Sequence, residues 1–389
     1  MLEYVNLWKP AAKPRVPGYC VAVTLTSFEP QLGVRTEKPT LPLARVRPGV
    51  LLESLATYLP PHPASVADFE RDLARRNPGI APKTPLVTRL TGVERVHRMP
   101  DDWNASDLAV AAVEKLLQRD AVALGDVDLL IFAAASQDMV EPATSHIVAA
   151  KLGLAVPVMD VKNACNSVLN AMEVAQALIA CGQYRRVLIA CGEGPSRAIR
   201  TKFRTREQYF LGAPGFTMSD AGSALILRAT TADDEQPGGQ MPGILSFAAA
   251  ADSTHWDVGM LPGGGTAFPR DFDRAYFEID GTRLREAFLA LGPQTINEAI
   301  ARAGITWDDV GLVAVHQVAV AYLEDVRKAL ELPADRTVVT VAEHGNVAAV
   351  TLPLQLDVAL NSGRVGAGDY VVLVGLAGGI SMGAMVMRL

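Results

Sequence analysis

Residues Val158 to Glu193 read VMDVKNACNSVLNAMEVAQALIACGQYRRVLIACGE: a short apolar run, a polar turn holding Cys165, a helical pattern and a second apolar run. The stretch 338–379, VVTVAEHGNVAAVTLPLQLDVALNSGRVGAGDYVVLVGLAGG, repeats that punctuation with Asn346 where the first has Cys165. Upstream of each lies a helix-spaced segment followed by an apolar run of strand length. In the first case these are SDLAVAAVEKLLQ and DVDLLIFAAAS; in the second, TRLREAFLALGPQTINEAIARAG and DVGLVAVHQVA. Ala133 and His316 fall at matching places 183 residues apart, and Cys165 and Asn346 are 181 apart. A near-constant offset over four consecutive elements marks an internal duplication of an α/β unit. Helix–strand alternation predicts mostly parallel strands in each sheet, and Ser106 is the expected N-cap of the first helix.

The repeat divides the chain. Residues 1–48, rich in proline and basic residues, read as an N-terminal appendage in which YCVAVTLTSF forms one strand. Residues 49–228 form the half that carries Cys165, and 276–389 the half that carries His316 and Asn346. Between them, 229–275 contains TTADDEQPGGQMPG and LPGGGTAFPRDFD and reads as linker and loop. Tyr370 to Met387 is an uncharged run of 18 residues, the lower limit for a membrane helix. Gly375, Gly378, Gly379 and Gly383 interrupt it, so a buried hairpin is expected and no membrane span.

With 389 residues, 49% hydrophobic and 20% charged, the chain has ordinary globular usage and room for a large core. Lys plus Arg number 36 against 42 Asp plus Glu, a net charge of −6, which argues against nucleic acid as a partner. The first residues lack an apolar signal core, and the cytoplasm is the expected compartment. Four cysteines, Cys20, Cys165, Cys181 and Cys191, show neither CxxC nor zinc spacing; they are expected as free thiols, with no metal site.

Cys165 alone among them stands at a strand-to-helix turn. The amides and dipole of a helix start lower a thiol pKa, so the sequence favours a thiolate nucleophile there. Cys20, Cys181 and Cys191 read as small apolar residues, and His146 and His344 as structural. Duplication carries His316, at a strand end, and Asn346, in the EHGN turn, toward Cys165, so three polar groups are expected to converge.

These residues resemble the thiolase superfamily, and within it the ketoacyl synthase III branch, over roughly residues 50–389. The likeness rests on NAC at Cys165, VHQVA at His316, EHGN at Asn346, TGVER at Thr91–Arg95, SDAGSALIL from Ser219 and the terminal AGGISMG. It implies a thiolase fold with duplicated βαβαβ-type halves in α/β/α/β/α layers, a homodimer, and a substrate thioester in place of a bound cofactor. It also implies that Cys165 takes an acyl group, that His316 and Asn346 bind the second thioester's carbonyl oxygen as its enolate forms, and that Gly378 contributes an oxyanion N–H. Ordinary thiolases place a second cysteine in the C-terminal glycine loop; here that loop reads GLAGGISMG, which argues against a thiolase.

The segment DMVEPATSHIVAAKLG resembles head-to-head condensing enzymes, including olefin- and pyrone-forming ones. This implies Glu141 as a base acting on the partner subunit's site, with a salt-bridging seam residue as the alternative. A tryptophan that stacks on adenine in the branch's initiators has no counterpart in APKTPLVTRLTG. Instead SRAIRTKFRTRE gathers Arg197, Arg200, Lys202, Arg204 and Arg206, suited to coenzyme A phosphates, phosphopantetheine or an acyl carrier protein. The expected activity is Claisen joining of two acyl thioesters, in specialised polyketide or lipid metabolism. The alternative is a same-fold acyltransferase delivering the acyl group from Cys165 to a hydroxyl or amine.

Overall fold

Two sheets carry the duplicated pattern in the computed structural model, which describes residues 49–120 and 122–389. The appendage, its YCVAVTLTSF segment and Cys20 lie outside the described residues. The first sheet contains β1 (Val50–Tyr58), β2 (Leu129–Ala133), β3 (Val158–Val161), β4 (Arg186–Glu193) and β5 (Ala221–Ala229), in the spatial order β1-β5-β4-β2-β3. The second contains β6 (Gly243–Ala251), β7 (Val310–Val315), β8 (Tyr370–Ala377) and β9 (Ser381–Arg388), in the order β6-β9-β8-β7. Chain order maps one sheet onto the other. The bridge from Val313 to Thr337 stands where β3 would pair.

In both sheets the last strand runs against its two neighbours, β5 between β1 and β4, β9 between β6 and β8. The remaining strands share one direction. The expectation of mostly parallel sheets therefore holds for strand direction but not for pairing, because the one reversed strand sits inside each sheet. The glycine-broken C-terminal run forms the expected hairpin, β8 and β9, in register from Tyr370 opposite Arg388 to Ala377 opposite Ser381.

Four helices complete five layers. Helix α1 (Ala105–Arg119) covers the outer face of the first sheet, packing on β1, β4 and β5; α3 (Gln294–Ala303) covers the outer face of the second, on β6 and β9. Helices α2 (Ser167–Ala180) and α4 (Thr351–Asn361) lie between the sheets, α2 touching β4, β5 and β9, α4 touching β7, β8 and β1. Side chains alternate across each strand with period two. Leu312, Ala314, Val371 and Leu373 join the central core with α2 and α4, while Val313, Val315, Val372 and Val374 join a second core beneath α3. Burial on both faces explains why these strands read as unbroken apolar runs.

Two boundaries differ from expectation. The 229–275 segment is not all linker, because it contains β6, an edge strand of the second sheet. The second half thus begins near Gly243. Helix α1 is capped by Asn104, whose backbone N–H is bonded by Asp107 at 2.8 Å; the Ser106 hydroxyl instead donates to Asp138 at 2.6 Å. The capping box two residues earlier closes the helix start and leaves Ser106 for a contact with the Asp138 loop.

The helix lands unusually close to the sheet. Gly192 and Gly222 face each other across β4 and β5, and a Cβ on either would lie 1.8 Å from the Ala105 carbonyl or 2.1 Å from that of Leu108. Only glycine allows this approach. Among the described residues no helix is long and apolar enough to cross a membrane.

Candidate active site

The segments after the C-terminal ends of β2, β3, β4, β7 and β8 carry the polar residues singled out by sequence. Cys165 follows β3, in a turn where the Asn166 N–H donates to the Asn163 carbonyl at 2.9 Å and the Ser167 N–H to that of Ala164 at 3.1 Å. Ala164 holds φ of 44° and forces the chain abruptly into α2. A non-glycine residue in the left-handed region costs on the order of 1–2 kcal/mol and persists only where its surroundings fix it.

That turn corrects the expectation of a thiolate. The amides of Asn166 and Ser167 at the start of α2 are taken by the turn's own carbonyls, and the donor that favours the anion is the backbone N–H of Cys165 itself. Burial of the sulfur, with the Glu193 charge second, pushes the thiol up to about 12. The residue keeps partial exposure, so a substrate can reach it, but it rests as a thiol. Cys191 is buried as a small apolar residue, whereas Cys181, at the C-terminal end of α2, is exposed rather than packed in the core.

His316 follows β7 and is 4% exposed. Its N–H donates to the Val374 carbonyl at 2.9 Å, extending the β7–β8 ladder by one residue. Gln355 of α4 clamps the preceding residue, accepting from the Val315 N–H at 3.2 Å and donating to its carbonyl at 2.8 Å. Gln317 fixes the following one, accepting the N–H groups of Thr340 and Val341 and donating to the Val338 carbonyl. The imidazole Nδ1 is buried without a partner, and burial lowers the ring to about 4, so the ring is neutral at pH 7. A neutral imidazole presents one donor and one acceptor.

Asn346 is tied into the first half. Its N–H donates to the Thr217 carbonyl at 2.8 Å and its carbonyl accepts the Ser219 N–H at 2.9 Å. Its side-chain Oδ1 accepts the Ala348 N–H at 3.0 Å, which fixes the amide so that Nδ2, a two-hydrogen donor, is the free end. Ala348, like Ala164, has a left-handed φ, of 49°. His344, expected to be structural, is half-buried and pairs with the buried His97: His97 Nε2 lies 3.1 Å from His344 Nδ1.

Sequence reading passed over Glu193 and the asparagines around Cys165. Glu193, at the end of β4, is 1% exposed and bonds both the Ala135–Ser136 turn and Ala349. A lone acid closing the apolar run RVLIACGE was the available signal. Asn166 donates to the Ser381 hydroxyl at 3.1 Å, and Asn163 bonds Asn170 and Ser381, so the start of α2 is tied to the β8–β9 turn that contains Gly378. In that turn Gly379 and Ile380 have φ of 86° and 52°.

The more speculative residues are placed differently. Glu141 sits on an exposed loop tip with Met139 and Val140, whose apolar side chains face outward. The loop is anchored on both sides, by Ser106 bonding Asp138 and by Asp160 accepting the N–H groups of Thr144 and Ser145. The basic cluster is smaller than its sequence suggests. Arg197 donates to the carbonyls of Pro100, Asp101 and Trp103; Arg200 is 7% exposed and lies 4.3 Å over the Tyr276 ring. Arg204 pairs with Asp273 at 2.9 Å, while Lys202 and Arg206 are exposed. Internal partners engage Arg197 and Arg200, leaving Lys202, Arg204 and Arg206 as the more exposed members, Arg204 in a surface ion pair with Asp273. Among the described residues no group of three His, Cys, Asp or Glu is arranged for a metal.

Residues 159–252 match the family model of 3-oxoacyl-[acyl-carrier-protein] synthase III, and residues 300–389 match its C-terminal model. The two matched segments hold Cys165, His316 and Asn346. The chain is a ketoacyl synthase III-like condensing enzyme of the thiolase superfamily. This condensing enzyme is 27% identical to the β-ketoacyl-[acyl carrier protein] synthase III of Thermus thermophilus, with a TM-score of 0.74, over 87% of this chain and 98% of that one. The corresponding synthase of Pseudomonas aeruginosa gives 26% identity and a TM-score of 0.73 over the same shares. OleA of Xanthomonas campestris, in a cerulenin-bound form, is 20% identical and shares the fold, with a TM-score of 0.77 over 90% of this chain and all of that one. The duplicated thiolase architecture expected from the sequence is thus present.

Proposed function

We propose that the enzyme forms an acyl-enzyme at Cys165 and joins that acyl group to a second acyl thioester by Claisen carbon–carbon bond formation. The observation that carries this reading is the Asn346 amide, whose Oδ1 is committed to Ala348 and whose Nδ2 is the free donor, on the same strand-end side as the neutral His316. Two neutral donors suit an enolate oxygen, whose charge exists mainly near the transition state.

In the first half-reaction His316 takes the Cys165 proton as sulfur attacks the thioester carbon. The tetrahedral oxyanion is held by the N–H groups of Cys165 and Gly378, and the proton passes to the departing carrier thiolate. In the second, the other thioester becomes an enolate by losing an α-proton to a base or carbon dioxide from a carboxylated α-carbon; the enolate carbon attacks the Cys165 thioester carbonyl, the carbon–sulfur bond breaks, and the departing sulfur takes up a proton to return to the thiol. A high resting thiol pKa requires that proton transfer accompany attack, the usual solution for a nucleophile weak in its free form. No bound cofactor enters these steps; the carrier of either acyl group is coenzyme A or an acyl carrier protein, with Lys202, Arg204 and Arg206 available for its phosphate or acidic surface.

A homodimer belongs to this reading. The edge of β3, Val158–Val161, is partly exposed, and Met139 and Val140 beside Glu141 are apolar and outward-facing. Paired across such an edge, Glu141 would serve the partner's site as the base for a non-decarboxylating condensation. A cytoplasmic role in specialised polyketide or lipid metabolism fits these substrates. Transfer of the acyl group to a hydroxyl or amine is the rival reading, and it gives Asn346 no task.

Incubation with a panel of acyl thioesters, followed by intact-mass measurement, tests the first step. The parent should gain one acyl mass and Cys165→Ala none; acylation of Cys165→Ala at the parental rate would overturn the mechanism.

A further inference from the structure

Glu193 lies outside the chemistry just described, yet its surroundings are more constrained than those of any residue in it. Both carboxylate oxygens meet donors only. Oε1 accepts the Ala135 N–H at 2.8 Å and the Ala349 N–H at 3.4 Å; Oε2 accepts the Ser136 N–H at 3.0 Å and the Ser136 hydroxyl at 2.8 Å. The Ser136 oxygen in turn accepts the Gly194 N–H at 3.0 Å, so its own proton is committed to Glu193. Three backbone N–H groups and a hydroxyl converge on the two oxygens, a shell that favours the ionised form. Burial is the largest influence and holds this carboxyl above its ordinary value, with the four donors opposing it in part.

The residues joined here come from two strand ends and the start of α4. Ala135 and Ser136 open the loop that leads to Glu141. Ala349 stands three residues beyond Asn346, and Glu193 itself terminates β4, two residues after the buried Cys191. The titratable groups its charge reaches are the thiols of Cys165 and Cys191, both pushed up by it after burial; His316 is neutral.

We propose that Glu193 is a positioning residue that fixes the Ala135–Glu141 loop and the Asn346–Val350 segment against each other while keeping a negative charge within electrostatic reach of Cys165. The proposal rests on reading Cys165 as the acylated thiol. Its first part makes one carboxylate the common anchor of the enolate donor and of the loop whose tip carries Glu141. Its second part keeps the resting nucleophile protonated, and therefore unreactive toward adventitious electrophiles, because only the thiolate attacks them. Ionisation is deferred until the acyl donor is bound.

Two substitutions separate the parts. Glu193→Gln keeps the size and removes the charge; Glu193→Asp keeps the charge and retracts it by one methylene. The reading is the rate of Cys165 alkylation by iodoacetamide between pH 6.5 and 10, followed by peptide mass against a Cys165→Ala background. Glu193→Gln should shift the profile down by about one pH unit, making alkylation near pH 8 about tenfold faster. Glu193→Asp should keep the parental alkylation profile yet lose about tenfold or more in condensation kcat, with KM for the acyl donor little changed. A Glu193→Gln profile superimposable on the parent's, or parental turnover in Glu193→Asp, would overturn the proposal. If Glu193→Gln does not fold, Glu193→Asp alone decides the anchoring part, and Ser136→Ala, which strips two hydrogen bonds without touching the charge, supplies a second measurement with the same expected loss of kcat. Alkylation does not depend on condensation, so failure of the Claisen reading would appear separately, as a parent that is alkylated but never acylated.

Discussion

Replacing Gly375 by alanine should disturb the nucleophile from the opposite half of the protein. Gly375 lies on β8, and a Cβ built there falls 2.1 Å from Asn166 Oδ1 and 3.0 Å from Leu169 Cδ2. A carbon–oxygen contact closes comfortably at about 3.3 Å, so roughly 1 Å of room is missing. Asn166 is 2% exposed, its Oδ1 has no donor, and its Nδ2 donates to Ser381. Either β8 shifts, an overpacking cost of about 1–3 kcal/mol, or Asn166 rotates and leaves a buried amide unsatisfied, about 1–3 kcal/mol more. Gly375→Ala should therefore lose about 3 kcal/mol in urea unfolding, and its acylation should slow because Asn166 adjoins Cys165. Removing the obstacle should restore part of the loss, so Asn166→Ala in the Gly375→Ala background should be more stable than Gly375→Ala alone, with a coupling of about 2 kcal/mol. Additive single effects, or a Gly375→Ala protein within about 0.5 kcal/mol of the parent, would refute this account of the contact.

Other outcomes follow from the same site. His316→Ala and Asn346→Ala should each change the half-reactions unequally: Asn346→Ala should acylate at Cys165 at the parental rate and lose product, and normal turnover by it would favour acyl transfer to a heteroatom. Glu141→Gln should reduce condensation of two non-carboxylated thioesters by about a hundredfold or more while sparing a malonyl-type partner; equal loss on both, followed as ketone and carbon dioxide, would assign Glu141 to the dimer seam. His316 also makes a pH prediction. Its folded value of about 4 lies below the ordinary 6.5, so the unfolded chain binds the extra proton between those values, and the stability present above pH 6.5 is lost as pH falls toward 4, by about 3 kcal/mol in all. His316→Asn should flatten that part of the curve in urea midpoints at pH 4.5 and 7.5; parallel losses in the two proteins would exclude it.

The duplication was legible because burial on both sheet faces turns strands into apolar runs, and because the polar turns at Cys165 and Asn346 interrupt those runs at one spacing. The strand Gly243–Ala251 was hidden by its composition: alanine-rich FAAAA lacks the β-branched residues that mark strands, and it is held by pairing with β9. The basic cluster misled for the opposite reason. Arg197 and Arg200 look solvated in sequence, but carbonyls at 100–103 and the Tyr276 ring, far along the chain, take up their donors. The thiol state of Cys165 differs from the reading because a helix start implies free amides, whereas the fold buries the sulfur and gives the Asn166 and Ser167 amides to the Asn163 and Ala164 carbonyls. Glu193 went unremarked because a single acid after an apolar strand carries no spacing signal; its weight comes from donors 57 and 156 residues away.

The bonds between Asn166 and Ser381 have a consequence for synthesis. Helix α2 is apolar on nearly every side, and its second wall, β8 and β9, is the last part of the chain to be made. At roughly 5–20 residues per second, the interval between translating residue 166 and residue 381 is roughly 10 to 40 seconds. From residue 229 onward the nascent chain carries every strand of the first sheet while its inner helix still lacks the second wall and the cysteine turn is not yet pinned. Premature termination anywhere before the final hairpin would release a sticky, catalytically inert fragment. The natural client state for a chaperone is therefore this ribosome-bound half, and variants that weaken the hairpin should be noticed in the cell as lost yield before they are noticed as lost rate.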